Sequence, residues 1–313
     1  MTATRFLVDP EAFRLPFARE ALPIGVIDLD RADDGPLVLP PFPLVGVGDA
    51  EHPLAALLDA VIEAPMTLTG LVDTVCANPA AAAIAVQTLR LLDPLATQAA
   101  LVAESIAYGL LQGGEEHGRW REARSAAAAV PAGEILVSRD GGRLDVWMSR
   151  VGANNAIDRT MRDGLREAFE LAALDPEIEL VTLRGMGRVF SVGADLVEFG
   201  TTRDPPTAHA IRMASLPAHA IARCAQKLEV HVQGACVGSA LEMAAFARRI
   251  TAGRRAWFQL PELAMGVIPG AGGCVSVPRR IGRQRATLMI LSGRRIDART
   301  ALAWGLVDEL VDD

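Results

Sequence analysis

The sequence predicts an α/β protein in which a mostly helical N-terminal region precedes a domain of alternating strands and helices. Residues 53–124 are rich in Ala and Leu, with apolar residues at helical spacing. From residue 134 onward, short apolar runs with strand character alternate with helical stretches, which is typical of an α/β domain. The pattern changes near residue 130. We therefore expect an N-terminal region at 1–130, a second domain at 131–313 and an alanine-rich linker at 125–132.

Composition excludes several classes of protein. Half of the 313 residues are hydrophobic, enough for a large core, and the net charge is −7, which argues against binding to nucleic acid. No apolar run approaches the length of a membrane span, and residues 1–16 lack the apolar core of a signal peptide. We expect a cytoplasmic protein that binds neither nucleic acid nor membrane. The four cysteines lack CxxC spacing, so we expect them to be reduced, with no metal site.

The N-terminal region divides into two parts. Residues 1 to about 50 contain short apolar runs such as 24–29, and prolines at 40, 41 and 43 prevent long helices there. A first helix is predicted from five apolar residues at helical spacing, which are Leu54, Leu57, Leu58, Val61 and Ile62. Further helices are predicted up to residue 124.

The second domain begins with a predicted hairpin. Residues 135–137 and 144–148 have strand character and flank a turn at 140–142. A helix follows with Asp158 as its N-cap, and Asp175-Pro176 ends it. Strands are then predicted at 180–183 and 230–232, the second followed by a glycine-containing turn and a helix to about Arg248. Ligands of such sheets gather at the loops that lead from strands into helices.

Two glutamates stand out in these loops. Glu242 ends the run 233–242, Glu262 ends the run 257–262, and the segment 190–196 lies upstream of both. Small residues occur where a ligand must approach the backbone, at 192–194 and at 238–240. Backbone N–H groups in such loops stabilise a carbonyl oxygen that gains negative charge, by about 2.7–4 kcal/mol per donor. Two carboxyl groups beside such a carbonyl can move a proton or add and remove water.

These blocks resemble the crotonase superfamily, the enoyl-CoA hydratase/isomerase fold, over about residues 134–311. The segments 279–282, 291–293 and 303–308 match the family in the same order and spacing. The resemblance implies a ββα superhelix core and a backbone oxyanion hole formed by the N–H groups of Ala194 and Ser239. It also implies that Glu242 and Glu262 are the catalytic pair. The implied substrate is an acyl-CoA thioester, with CoA arriving as part of the substrate, no metal or other cofactor, and assembly as a homotrimer or hexamer.

The resemblance further implies which residues contact the substrate or its CoA. These are Ala156, Val192, Gly193, Asp195, Leu196, Gly238, Pro269 and Gly270. The sequence also departs from the family pattern: Ser239 and Ala240 stand where glycines are common, and Val197 stands where many relatives carry Lys or Arg near the CoA phosphates. Arg203 or Arg212 could replace that cation.

The chain stops a few residues after 306–307, where family members usually continue into helices that cap the site. Residues 70–75 echo residues 305–310, and helices are predicted after the first copy. We therefore hypothesise that residues 53–124 supply the cap from the front of the chain. The helical extension is also similar to that of a crotonase-like, cofactor-free dioxygenase that acts on dihydroxyphenylacetyl-CoA.

Simpler roles exist for the same residues. Glu242 could be a helix-face carboxylate paired with Arg248 or Arg249, and Glu262 could be a carboxylate that a helix N-terminus favours. The glycine-rich run 270–273 lacks the GxxxxGK[ST] pattern of a phosphate-binding loop and is interpreted as a tight turn beside the pocket. Asp195 is expected to order its own loop. The matched blocks favour catalysis for the two glutamates.

The leading functional expectation is addition of water to a 2-enoyl-CoA, or its reverse. Isomerisation of a double bond, thioester hydrolysis and cofactor-free oxygenation are alternatives on the same scaffold. A non-catalytic CoA-binding or assembly subunit is an alternative of a different class. No GxSxG elbow is present, which argues against a serine hydrolase.

Overall fold

The computed structural model of the protein describes residues 3–14, 22–124, 130–199 and 201–312. The predicted linker at 125–132 therefore lies largely outside the described residues. The α-helices are α1 (Leu68–Ala77), α2 (Pro79–Leu92), α3 (Thr97–Gln112), α4 (Glu115–Glu122), α5 (Arg159–Leu174), α6 (Pro205–Ser215), α7 (Ala218–Cys224), α8 (Ser239–Ala244), α9 (Gly273–Ile281), α10 (Arg283–Ser292) and α11 (Ala298–Trp304). The strands are β1 (Gly25–Asp28), β2 (Leu44–Val47), β3 (Ala60–Val61), β4 (Glu134–Asp140), β5 (Arg143–Ser149), β6 (Leu180–Gly185), β7 (Leu228–Val232), β8 (Ala235–Val237), β9 (Arg249–Gly253), β10 (Trp257–Gln259), β11 (Ile296–Asp297) and β12 (Glu309–Val311).

A six-stranded sheet in the order β12-β9-β7-β6-β5-β4 forms the framework of the second half of the chain. Neighbouring strands are parallel except β4, which pairs with β5 as the antiparallel hairpin that the sequence predicts. The hairpin turns at Gly141, whose φ of +54° suits glycine. Helix α5 begins at the predicted cap, where Asp158 Oδ1 accepts a 2.9 Å hydrogen bond from Met161 N.

A second sheet, β11-β10-β8, places the strand that leads into the candidate site. Strand β8 pairs in parallel with β10, and its last residue precedes Gly238 and helix α8. The helix after the Gly234–Ser239 turn is shorter than predicted, because α8 ends at Ala244 and Arg249 already begins β9. The backbone N–H of Arg248 donates to the carbonyl oxygen of Leu228, which draws the chain into the sheet.

The helix predicted around residues 54–62 is wrong. Residues 53–57 form a short 3-10 helix, and Ala60 and Val61 form β3, which pairs with β2 in a parallel β1-β2-β3 sheet. Leu54 and Leu58 are buried beneath this sheet. The backbone N–H groups of residues 59 and 62 donate to β2, so strand pairing overrides the helical spacing. The first α-helix begins at Leu68.

The N-terminal helices pack directly against the second half of the chain. One continuous cluster of buried apolar residues includes Val86 and Leu89 of α2 together with Leu144 and Phe169 of the second half. Helix α10 contacts α1 and α2, α9 contacts α2 and α3, and α3 contacts α6. The division at residues 130 and 131 stays a prediction.

None of the described helices is by itself long and apolar enough to cross a bilayer. Helices α1 and α2 meet the length and composition test only when taken together, and they are bent by 108° where they meet.

A buried carboxylate joins the N-terminal sheet to the second half. Asp59 is 0% exposed and accepts hydrogen bonds from Leu44 N (2.9 Å) and from Arg90 Nε (2.8 Å) and Nη2 (2.5 Å). Arg283, at the start of α10, approaches the same carboxylate at 3.4 Å and donates to the carbonyl oxygen of Leu58 at 3.1 Å. A buried acid with this many donors holds three elements together.

We expect Asp59→Ala to lower the free energy of unfolding by about 3 kcal/mol, because it leaves the partly buried guanidinium groups of Arg90 and Arg283 without their counter-charge and the buried Leu44 N–H without its acceptor. Urea denaturation followed by circular dichroism measures this loss. Asp312→Ala is the control, since Asp312 pairs with Arg254 but is 92% exposed, and we expect no measurable loss there. Equal losses in the two variants would contradict the role of Asp59.

Candidate active site

A cavity of about 670 Å³ lies where the N-terminal helices meet the loops at residues 190–199, 237–243 and 261–271. Both glutamates and both predicted oxyanion residues line it, together with six of the eight predicted substrate contacts. These lining residues are Glu242, Glu262, Ala194, Ser239, Val192, Gly193, Asp195, Leu196, Gly238 and Gly270. Ala156 and Pro269 do not line the cavity, whereas their neighbours Ile157 and Gly270 do. The geometry therefore brings the predicted site together except at those two positions.

The first predicted oxyanion segment is fixed by backbone pairing. Ile157 N donates to Gly193 O (2.8 Å) and Asp195 N donates to Ile157 O (2.9 Å), so Ala194 is held between two bonded neighbours. Gly193 has φ +89°, and a Cβ there would lie 2.6 Å from the carbonyl oxygen of Val237. The same Cβ position is 3.5 Å from Ser239 N, which places the two segments side by side.

The second predicted segment opens α8. Gly238 has φ +51° and ψ −128°, a conformation that glycine alone adopts readily, and its N–H donates to Gln259 O at 2.9 Å. Ser239 is then the first residue of the helix, where N–H groups have no partner within the helix. Neither Ser239 N–H nor Ala194 N–H donates to another described residue. Two adjacent N–H groups thus border the cavity and can donate hydrogen bonds to a substrate oxygen.

Two residues that the sequence analysis did not single out hold the first segment. Asn155 is fully buried, and its Nδ2 donates to the carbonyl oxygens of Met186, Val189 and Phe190. Arg150 donates from Nη1 to Asp195 Oδ2 at 2.7 Å. Burial pushes the pKa of Asp195 up, but the Arg150 guanidinium outweighs this and holds that pKa below its usual range. Asp195 therefore orders its loop, as expected from the sequence.

Glu242 lies on α8 with 2% of its surface exposed. Its Oε2 accepts hydrogen bonds from Ala271 N (2.6 Å) and Gly273 N (2.8 Å), the segment that leads into α9. Burial raises the pKa of Glu242 to about 7, although these two N–H groups act in the opposite direction. A carboxyl group with this pKa is divided between its protonated and ionised forms near neutral pH.

Glu262 begins the 3-10 helix Glu262–Met265 and is 8% exposed. Its Oε2 is buried and has no hydrogen-bond partner among the described residues. Its Oε1 would lie 2.7 Å from a Cβ at position 238, so a side chain there would displace the carboxyl group. Burial, and then the negative charge of Glu242, raise the pKa of Glu262 well above its usual range. Of the two carboxyl groups, Glu262 has the less compensated charge, which favours its protonated form.

The simpler role for Glu242 does not fit the contacts, whereas Glu262 does begin a 3-10 helix, as its simpler role expects. Arg248 pairs with Glu229 and Arg249 pairs with Glu309, so neither arginine is the partner of Glu242. Among the described residues, no cluster of His, Cys, Asp and Glu side chains is arranged to hold a metal ion. Gly270 and Ala271 border the cavity, as the interpretation of the 270–273 run as a turn predicts.

The N-terminal region also contributes to the cavity wall. Tyr108 of α3 packs so closely on Gly270 that a Cβ there would lie 2.3 Å from its ring. His117 of α4 lines the cavity, and its Nδ1 lies 2.9 Å from Met265 O. Arg212 lines it as well, but its guanidinium donates to Ser105 and Gln112. The sequence led us to hypothesise a cap from residues 53–124 and to name Arg212. It did not identify Tyr108 or His117, since they lie far along the chain from the matched motifs.

Comparison with known proteins gives the family. The model of the enoyl-CoA hydratase/isomerase family matches residues 140–313, more than half of the chain. The chain therefore belongs to the enoyl-CoA hydratase/isomerase family of enzymes, and the resemblance to the crotonase superfamily is confirmed. The N-terminal region precedes the matched part.

Two curated relatives illustrate the likeness. The chain is 33% identical over 180 residues to the 2,3-dehydroadipyl-CoA hydratase of Escherichia coli (strain K12), which covers 56% of this chain and 69% of that protein. It is 32% identical over 178 residues to the mevalonyl-coenzyme A hydratase of Beauveria bassiana, which covers 54% of this chain and 64% of that protein. The chain thus spans about two thirds of the length of these relatives.

Solved structures confirm the fold. Enoyl-CoA hydratase from Thermoplasma volcanium is 32% identical with a TM-score of 0.51, and the match covers 57% of this chain and 72% of that one. Enoyl-CoA hydratase from Bacillus anthracis is 27% identical with a TM-score of 0.53, covering 57% and 70%. The predicted crotonase-type α/β core with an N-terminal helical extension is therefore correct.

The raised pKa of Glu242 has a consequence for stability. A carboxyl group that binds its proton more tightly when folded stabilises the fold below its unfolded pKa of 4.5 and loses that contribution as pH rises through about 7. We expect ionisation of this single group to lower the free energy of unfolding by on the order of 3 kcal/mol as the pH rises between these two values. Urea denaturation at pH 5 and pH 7.5 should show that the free energy of unfolding falls less between these pH values in Glu242→Gln than in the wild type. Parallel pH dependences of the two proteins would contradict the burial of an ionisable Glu242.

Proposed function

We propose that this protein catalyses the reversible syn addition of water to a 2-enoyl-CoA thioester. The observation that carries the proposal is the placement of two buried carboxyl groups, those of Glu242 and Glu262, on the same cavity as two unused main-chain N–H donors. The names of the two hydratase relatives support water addition over the other reactions of the fold.

The proposed mechanism follows from the different proton affinities of the two carboxyl groups. The thioester oxygen accepts hydrogen bonds from Ala194 N–H and Ser239 N–H, which stabilise the negative charge of the enolate. The ionised form of Glu242 takes a proton from water as the water oxygen bonds to C3. The protonated form of Glu262 then delivers its proton to C2. Transfer of the proton from Glu242 back to Glu262 restores the starting state, so that one water molecule is added overall.

We expect Glu242→Gln and Glu262→Gln each to lower kcat for hydration of crotonyl-CoA by about 10²–10⁴-fold, because each removes one proton-transfer group. Loss of absorbance of the enoyl thioester measures the rate. Glu167→Gln is the control, since Glu167 lies on α5 with 70% of its side chain exposed, and its activity should equal that of the wild type. Less than about a tenfold loss in both site variants would refute the assigned roles and favour a non-catalytic CoA-binding subunit.

We expect Gly193→Ala to lower kcat by about 10²–10³-fold, the usual loss on removing one oxyanion donor. The added methyl group would meet the carbonyl oxygen of Val237 and displace the N–H of Ala194. Gly152→Ala is the matched control, because a Cβ at that position meets no atom within 4 Å. An unchanged kcat in Gly193→Ala would mean that Ala194 N–H does not bind the thioester oxygen.

Alternative chemistry on this scaffold is distinguished by products. Crotonyl-CoA and an arylacetyl-CoA are incubated with the protein under air, and acyl products and dissolved oxygen are followed. The proposal predicts 3-hydroxybutyryl-CoA from the first substrate and no oxygen uptake with the second. Oxygen uptake without hydration would replace the hydratase assignment by cofactor-free oxygenation.

The homotrimer or hexamer and the cytoplasmic location are proposals as well. Val102, Ile106 and Leu110 are spaced four residues apart on α3 and are 39%, 58% and 65% exposed. This apolar stripe supports self-association, which would cover it. Sedimentation equilibrium measures the oligomeric state.

A further inference from the structure

The helix α3 brings a third carboxyl group to the glutamate pair. Gly272 N donates to Glu104 Oε1 at 2.7 Å, and Cys274 N donates to Glu104 Oε2 at 2.7 Å. The N–H groups of Ala271 and Gly273, which alternate with these two along the chain, donate to Glu242 Oε2. Four successive N–H groups at the start of α9 are therefore shared between one carboxyl group of the N-terminal region and one of the candidate catalytic pair.

This sharing couples the positions of the two carboxyl groups. Glu104 is 1% exposed, and both of its oxygens are engaged, so the segment 271–274 cannot shift without breaking its contacts. The same segment supplies both backbone donors to Glu242. Any displacement of Glu104 is thus transmitted to Glu242 within a single stretch of backbone.

The charges around Glu104 come from several elements. Burial, and then Glu242 on α8, raise the pKa of Glu104, while the backbone donors and Arg212 on α6 lower it. Tyr108 on α3 and Cys274 on α9 are the neighbouring groups that stay neutral, since burial raises the pKa of each. Glu104 in turn adds to the raised pKa of Glu262. The proton affinities of the three glutamates therefore depend on one another.

We propose that Glu104 is a positioning residue of the active site, through which the N-terminal helices hold the segment 271–274, and with it Glu242, in place. This inference rests on the proposed hydratase function. It makes the N-terminal region part of the catalytic apparatus, since the enolate chemistry then depends on three carboxyl groups rather than two.

If Glu104 had only a structural role, replacing it would lower stability without moving the pH dependence of catalysis. Glu116 is a matched control for such a role. Glu116 of α4 is also buried, and it accepts hydrogen bonds from Ala80 N (2.8 Å) and Ala81 N (2.9 Å) at the start of α2. Glu116 and Glu104 thus make the same pair of bonds to a helix N-terminus. They differ in that only Glu104 shares its helix N-terminus with Glu242.

The experiment compares Glu104→Gln with Glu116→Gln on crotonyl-CoA across pH. For Glu104→Gln we expect kcat to fall by about tenfold or more with little change in KM, the pattern of a lost transition-state contribution. Both Glu104 oxygens accept backbone N–H bonds, as an ionised carboxylate does. We therefore also expect both limbs of the pH–rate profile to move to lower pH by about half a unit or more, because removing this negative charge lowers the proton affinity of the other two carboxyl groups. Glu116→Gln should lose stability but keep the wild-type profile.

A wild-type pH–rate profile for Glu104→Gln would overturn the proposal. The proposal would also be overturned if kcat fell equally in Glu104→Gln and Glu116→Gln and neither pH–rate profile moved. Should Glu104→Gln fail to fold, Glu104→Asp provides the test, since it keeps the charge but is one methylene too short to reach both N–H groups. We expect about a tenfold lower kcat with unmoved pH limbs for Glu104→Asp, and a wild-type kcat there would refute the positioning role.

A measurement without substrate separates this inference from the proposed function. The carboxyl carbon of Glu242, labelled with ¹³C and assigned by its absence in Glu242→Gln, is titrated by NMR. We expect its midpoint to be lower in Glu104→Gln than in the wild type, and identical midpoints would overturn the coupling. Absence of hydration by the wild type would refute the proposed function alone, whatever the NMR titration shows.

Discussion

The central constraint in this protein is that Glu104, Glu242 and Glu262, three mutually repelling carboxyl groups, are all buried. Burial of a charge is costly unless hydrogen bonds compensate it. The start of α9 provides that compensation for two of the three through four successive N–H groups. The third, Glu262, has an oxygen without a hydrogen-bond partner among the described residues, and burial raises its pKa strongly. Glu242 and Glu262 therefore differ in how far hydrogen bonds compensate their charge, and the proposed roles of base and acid rest on this difference.

The rest of the fold serves to hold this arrangement. The six-stranded sheet and its loops place the two N–H donors side by side, and Asn155 fixes the loop that carries the first of them. The N-terminal helices close the cavity with Tyr108 and His117 and supply Glu104. Asp59 and the shared apolar core fasten these helices to the second half of the chain. Stability and chemistry therefore depend on the same interface between the two halves.

The sequence predicts the parts of the site that depend on local patterns. Glu242, Glu262 and the predicted oxyanion loops were found because each lies in a short continuous block that resembles a motif of the family, in the same order along the chain. Glu104 was missed because its contact with Gly272 spans 168 residues and has no local pattern. A signal existed, since Glu104 is the one charged residue of α3. The helix predicted at 54–62 failed for a related reason, because pairing with β2 decided the structure there.

The most direct test of the account is a crystal structure with acetoacetyl-CoA, whose thioester resembles the enolate-forming substrate. The account predicts the thioester oxygen at about 2.7–3.1 Å from both Ala194 N and Ser239 N. It also predicts that C2 and C3 of the acyl group face the carboxyl groups of Glu262 and Glu242. A thioester oxygen bound away from these two N–H groups, or an acyl group turned away from both glutamates, would contradict it.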